Sequence, residues 1–207
     1  IYLAGRGSNT LTNNATVKVN RSSAYAEGKK AVALYAENGS INNSGALEVG
    51  AKDAVINGGI GIETDGGNVT NGGTITVYGN GSAIKAADGS ITNNASATVY
   101  GNGSVLNGQN GNVTNNEKGQ LNIYTDGKAS AYGIYLAGST GNTITNKASI
   151  FINRYGAYAQ AASTGNYGIW TDNAKIVNSG DISLGSSTAG LSGIYGLYAA
   201  GSGSIEN

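Results

Sequence analysis

The chain has 207 residues, with 12 Lys or Arg balanced by 12 Asp or Glu, 35 Gly, and no Pro, Cys, Met or His. Zero net charge offers no electrostatic attraction to nucleic acid or an anionic membrane, and no apolar run approaches the roughly 18 residues that span a bilayer, which argues against both as partners. Without Cys there is no disulfide or thiol chemistry, and without His the commonest general base and metal ligand is missing.

Three kinds of short apolar run return along the chain in a fixed order. The first ends in Asn: LTN at 11–13, then GSINN from Gly39, GNVTN from Gly67, GSITN from Gly89, GNVTN from Gly111, ITN at 144–146, AKIVN from Ala174 and GSIEN from Gly203. The second follows it: TVKV, ALEV, TITV, ATV, QLNI, SIFI and DISL. The third closes each unit and includes AVALYA, GIGIET, SAIKAA, SVLNG, YGIYLA, YGIWTD and YGLYAA. From the Asn to the last apolar residue of the second run is six residues in six of seven units (Asn13 to Val19 is the first), and eight in the unit from Asn115 to Ile123. Nearly all length variation falls between the second and third runs, where the gap runs from 7 to 17 residues.

Each run is short, alternates with period two and favours Ile, Val, Thr and Tyr, which is strand chemistry, and Gly/Asn clusters separate the runs. One unit cannot bury its apolar face alone, whereas stacked units share a continuous core. The prediction is an all-β, right-handed parallel β-helix (a solenoid) with three strands per coil and about seven coils, running as one array over residues 1–207. TVYGNGS recurs 22 residues apart, at 76–82 and 98–104, because both copies occupy the same stretch of adjacent minimal coils. The chain opens in mid-repeat, so it reads as a fragment of a longer array.

In-register stacking turns each repeat position into a column. Ile41, Val69, Ile91, Val113, Ile144 and Ile176 are expected to face inward from the first run, and Val17, Val19, Ile75, Val77, Ile150 and Ile152 from the second. Asn13, Asn43, Asn71, Asn93, Asn115, Asn146 and Asn178, continued by Asn207, form a structural ladder placed at a corner, whose amides can bond the backbone and one another. The residue after the third-run aliphatic is expected to face outward: Tyr2, Tyr35, Glu63, Lys85, Asn107, Tyr135, Trp170 and Tyr198. Of these, Tyr35, Tyr135, Trp170 and Tyr198 are candidate partner-binding residues, because exposed aromatics suit contact with a sugar or a protein. Tyr78, Tyr100 and Tyr124 form a second stack just past the second run. The longest excursions, 20–31 and 153–166, carry Tyr25, Tyr155 and Tyr158 as further contact candidates. Glu37, Asp65, Asp88 and Asp172 gather loosely at the third corner but read as solvated, and no metal or cofactor is expected. Thr12, Thr70, Thr92, Thr114 and Thr145 align on the outside, a column that raises ice binding as one alternative, although Asn42, Val177 and Glu206 interrupt it.

The Gly-Ser-Ile-x-Asn and Gly-Thr-Ile-x-Val runs resemble those of type V autotransporter passenger domains, especially Asn/Gly-rich fusobacterial adhesins and vacuolating-cytotoxin-like passengers. That resemblance implies export, display at the bacterial outer surface and an adhesive or spine-like role without enzymatic chemistry. Its partners would be a host or bacterial surface protein, or a glycan. A disulfide would obstruct threading through an export pore, so a Cys-free chain suits this route. Two alternatives stay open. One is a subunit that stacks end to end into a fibre. The other is a polysaccharide-acting β-helix enzyme, for which Asp53, Asp126 and Asp181 are isolated acids where convergent ones are needed.

Overall fold

The computed structural model describes residues 1–5, 9–19, 31–154 and 165–207. The chain winds as a right-handed parallel β-helix of about seven coils. Its strands form three parallel sheets, of eight, eight and seven strands, and each strand pairs with the one three elements later. The third-run strands, from Tyr2–Leu3 to Ile194–Ala199, make sheet I. The Asn-terminated runs, from Asn9–Asn13 to Ser204–Glu206, make sheet II, and the second runs, from Val17–Val19 to Ile182–Leu184, make sheet III. The two TVYGNGS copies lie on top of one another, with Thr76, Val77 and Tyr78 pairing Thr98, Val99 and Tyr100, and Gly81 and Ser82 pairing Gly103 and Ser104.

The interior is a bundle of aliphatic columns. Ile41, Val69, Ile91, Val113, Ile144 and Ile176 are buried from sheet II, and Ile75, Val77, Ile150 and Ile152 from sheet III, as their alternation requires. Val17 and Val19, in the first coil, are half-buried.

Like residues stack so closely that some columns admit only glycine. A Cβ on Gly67, Gly89 or Gly111 would stand 2.0–2.2 Å from the carbonyl oxygen of the glycine one coil before. The Ser or Asn that follows this glycine links the coils, its side-chain oxygen accepting a backbone N–H of the next one. Asn68 Oδ1 accepts from Ser90 N at 2.9 Å and Asn112 Oδ1 from Thr143 N at 2.8 Å. Ser and Asn interchange here because both present an acceptor oxygen at the end of a short side chain.

The asparagine ladder is continuous. From Asn13 to Asn207, each Nδ2 donates to Oδ1 of the asparagine one coil further on, through seven bonds of 2.8–2.9 Å. In Asn13, Asn43, Asn71, Asn93, Asn146 and Asn178, the amide also donates to the carbonyl two residues on, at 2.8–3.0 Å. One expectation needs correcting. These asparagines do not sit in a special corner conformation. From Asn13 to Asn178 each is the last residue of a sheet II strand, with its amide turned into the rod and buried. Among the described residues, the left-handed positions taken by non-glycine residues are Asn38, Asp88 and Asn110, with φ of 52°, 53° and 57°.

Three stability measurements test this packing. Gly89→Ala forces a Cβ to 2.0 Å from Gly67 O and is expected to cost about 3 kcal/mol or more, whereas Gly190→Ala meets nothing within 4 Å and should stay within about 0.5 kcal/mol, both read as shifts in the urea unfolding midpoint. Asn93→Ala leaves Asn71 Nδ2 and Asn115 Oδ1 without their partner and should cost about 2 kcal/mol. Asn93→Asp sets an oxygen against Asn115 Oδ1 and Ala95 O, so the folded state favours the protonated acid. Its penalty should be smallest below about pH 4 and grow as pH rises.

Candidate functional site

The outer face of sheet I departs from simple alternation, and this departure builds the site. In the second to the seventh strands of sheet I, two consecutive residues turn inward: Ala33–Leu34, Gly61–Ile62, Ala83–Ile84, Val105–Leu106, Gly133–Ile134 and Gly168–Ile169 are all buried. The strand bends there, and residues three apart emerge on the same side. Where the first inward residue is glycine the bend is tight: a Cβ on Gly133 would lie 2.3 Å from Ile150 Cγ2 and 2.6 Å from Gly168 O.

The Tyr-Gly-Ile/Leu-Tyr/Trp segments at 132–135, 167–170 and 195–198 exploit this bend. Register places Tyr132, Tyr167 and Tyr195 in one column and Tyr135, Trp170 and Tyr198 in the next. Within the first column, rings stack with centroids 5.1 Å (Tyr132–Tyr167) and 4.9 Å (Tyr167–Tyr195) apart. Within the second they are 4.5 Å (Tyr135–Trp170) and 6.5 Å (Trp170–Tyr198) apart. Between columns the rings meet edge to face at 69–73°, as in Tyr132–Tyr135 at 5.1 Å. Six aromatic rings on three coils thus form an angled grid. Four are half-buried, while Tyr195 and Tyr198 are exposed. The grid is continued on its N-terminal side by Ser104 and Asn107, which pair Tyr132 and Tyr135.

The four candidates of the outward column lie where expected, in unbroken register through Glu63, Lys85 and Asn107. Tyr135, Trp170 and Tyr198 come together. Tyr35 stands apart, stacked on Tyr2 at 5.2 Å, with its hydroxyl donating to Asp65 Oδ2. Tyr2 donates likewise to Glu37 at 3.2 Å. Hydrogen bonding to Asp65, followed by burial, pushes the Tyr35 phenol well above its ordinary range. Glu63 corrects the expectation of an exposed position. It is on the outward column but only 1% exposed, because its neighbours cover it and Lys85 Nζ reaches its Oε1 at 3.2 Å. Tyr25, Tyr155 and Tyr158 lie outside the described residues. The partners Tyr132, Tyr167 and Tyr195 were not among the sequence-derived candidates, although the repeated Tyr-Gly-Ile/Leu-Tyr/Trp is their signal.

No protein-family model, no curated protein and no solved structure matches this chain.

Elsewhere the outside is ladder chemistry. Tyr78, Tyr100 and Tyr124 stack at 4.9 Å spacings as expected, and Phe151 meets Tyr124 edge-on. The corner acids are hydrogen-bonded as well as solvated: Asp88 accepts from Asn110 Nδ2 at 2.8 Å, and Asp172 from Gly138 N at 3.1 Å. Among the described residues, no three of His, Cys, Asp and Glu group closely enough to hold a metal ion.

Burial is the first cause raising the phenols of Tyr135 and Tyr167 above the usual tyrosine range, with neighbouring phenols adding to it. The folded state therefore holds these protons more tightly than the unfolded chain. Their contribution to stability should be level below about pH 10 and fall as pH climbs past it. Replacing both by Phe should make that alkaline limb shallower, followed by circular dichroism, while the raised phenols of Tyr35 and Tyr124 keep part of it.

Proposed function

We propose that this chain is a length of non-enzymatic display rod from an exported bacterial passenger domain, which holds a surface protein or glycan against the aromatic grid of sheet I. The supporting observation is the grid itself. Stacked and edge-to-face aromatics present a large contact area, and each has few torsions to freeze on binding. Here the backbone ladder already holds them in place, so little further ordering is required of them. Asp172, beside Tyr135, supplies a polar group at the border of the grid. The resemblance of the repeat to passenger domains supports the placement at a cell surface.

The grid contains Trp170, the sole tryptophan of the chain, so intrinsic emission reports on it directly. Titration with soluble surface glycans and surface proteins should give a saturable change in Trp170 fluorescence with one class of them. Tyr135→Ala should weaken that binding by about tenfold or more. A flat response to both classes would count against the reading.

End-to-end stacking is the second reading. Light scattering that grows with the concentration of the chain alone favours it, and a concentration-independent monomer removes it.

A further inference from the structure

We propose that Lys85 and Asn107 are joined by an intramolecular isopeptide bond, formed with loss of ammonia and promoted by the buried carboxylate of Glu63. The three residues occupy consecutive rungs of one outward column of sheet I, Glu63 pairing Lys85 and Lys85 pairing Asn107. Lys85 Nζ lies 3.2 Å from Glu63 Oε1, and the Glu63 side chain is 2% exposed. Parallel strands lie about 4.8 Å apart, so the long Lys stem can carry its nitrogen to the Asn107 amide carbon without moving the backbone.

The chemistry closes without an added reagent. Glu63 takes a proton from the Lys85 ammonium, which makes Nζ a nucleophile. The Nζ lone pair attacks Asn107 Cγ, and the carbonyl electrons move onto Oδ1. The tetrahedral centre collapses, the C–Nδ2 bond breaks, and Nδ2 leaves after collecting a proton from the attacking nitrogen. The proton first held by Glu63 passes to the ammonia, which departs as ammonium. A secondary amide remains between Nζ and Cγ, and Glu63 returns to its carboxylate form. Nothing is oxidised or reduced.

Burial of the acid sets this triad apart from other ion pairs among the described residues. In the pairs Lys18–Glu48, Lys128–Asp126 and Lys175–Glu206 the carboxylate side chains are 34%, 27% and 64% exposed. Asn116, Glu117 and Lys147 bring the same three residue types to one shallow depression, but Glu117 and Lys147 are exposed. Water solvates those acids and trades protons with them. Glu63 is shielded from water and faces the amine it touches. The bond would tie two adjacent coils of a chain that has no Cys with which to do so. This inference is independent of what the rod binds.

Intact-mass spectrometry of the whole purified chain is the test. The expected mass is one ammonia below that of the sequence, and a tryptic digest should contain a branched peptide joining the segments of Lys85 and Asn107. Lys85→Arg keeps a cation beside Glu63 but should restore the full mass and linear peptides, with an unchanged circular dichroism spectrum. Glu63→Gln should reduce the linked fraction at least tenfold. A wild-type chain at full sequence mass overturns the proposal. So does an ammonia loss that maps to a linear Asn107–Gly108 peptide, since that is a succinimide.

Discussion

Backbone hydrogen bonding between equivalent strands makes every residue stand on its counterpart one coil earlier. At the spacing of paired strands, a side chain has little choice but to interact with its own kind. Aliphatic columns become the core. Amide columns become hydrogen-bonded ladders. Phenol columns become ring stacks, as in Tyr78, Tyr100 and Tyr124. At Gly67, Gly89 and Gly111 even a methyl group would collide with the carbonyl below. The chemical monotony of the repeat is therefore a consequence of geometry: a position that suits one coil must also suit contact with itself.

That same constraint explains what could be read from the residues. Alternation exposes which face of a strand is apolar, so the inward columns from Ile41 to Ile176 and the Asn13-to-Asn178 ladder were legible. Fixed spacing from Asn to the second run gave the register, because any slip would turn a whole strand inside out. Two features were not legible. Tyr132 and Tyr135 are three apart, and strict alternation sends such residues to opposite faces. Only the bend at Gly133–Ile134 returns them to one side, and a bend depends on how glycine packs against the next coil. Burial of Glu63 escaped for a related reason. It is set by the neighbours that cover the outer face, and these lie elsewhere in the sequence.

Sheet I thus carries two kinds of chemistry on one outward column. Aromatic residues occupy its ends, and an acid, an amine and an amide occupy its middle rungs. The grid from Tyr132 to Tyr198 gains rigidity because its rings are anchored to a sheet and braced by one another. Variation in coil length, meanwhile, is confined almost wholly to the passage from sheet III to sheet I. Extra residues there leave the column spacing on all three faces intact, so the rod tolerates additions along one edge without disturbing its periodic surfaces.

The asparagine ladder gives the rod an electrical axis. Backbone carbonyls in a parallel sheet point alternately up and down, and their moments largely cancel. The ladder amides do not alternate: from Asn13 to Asn178 each nitrogen faces the following coil and each oxygen the preceding one. Seven such groups, at about 3.5 D each as for a peptide unit, sum to a permanent moment on the order of 25 D along the axis of the coils. The core of a molecule without net charge in this way has a built-in direction.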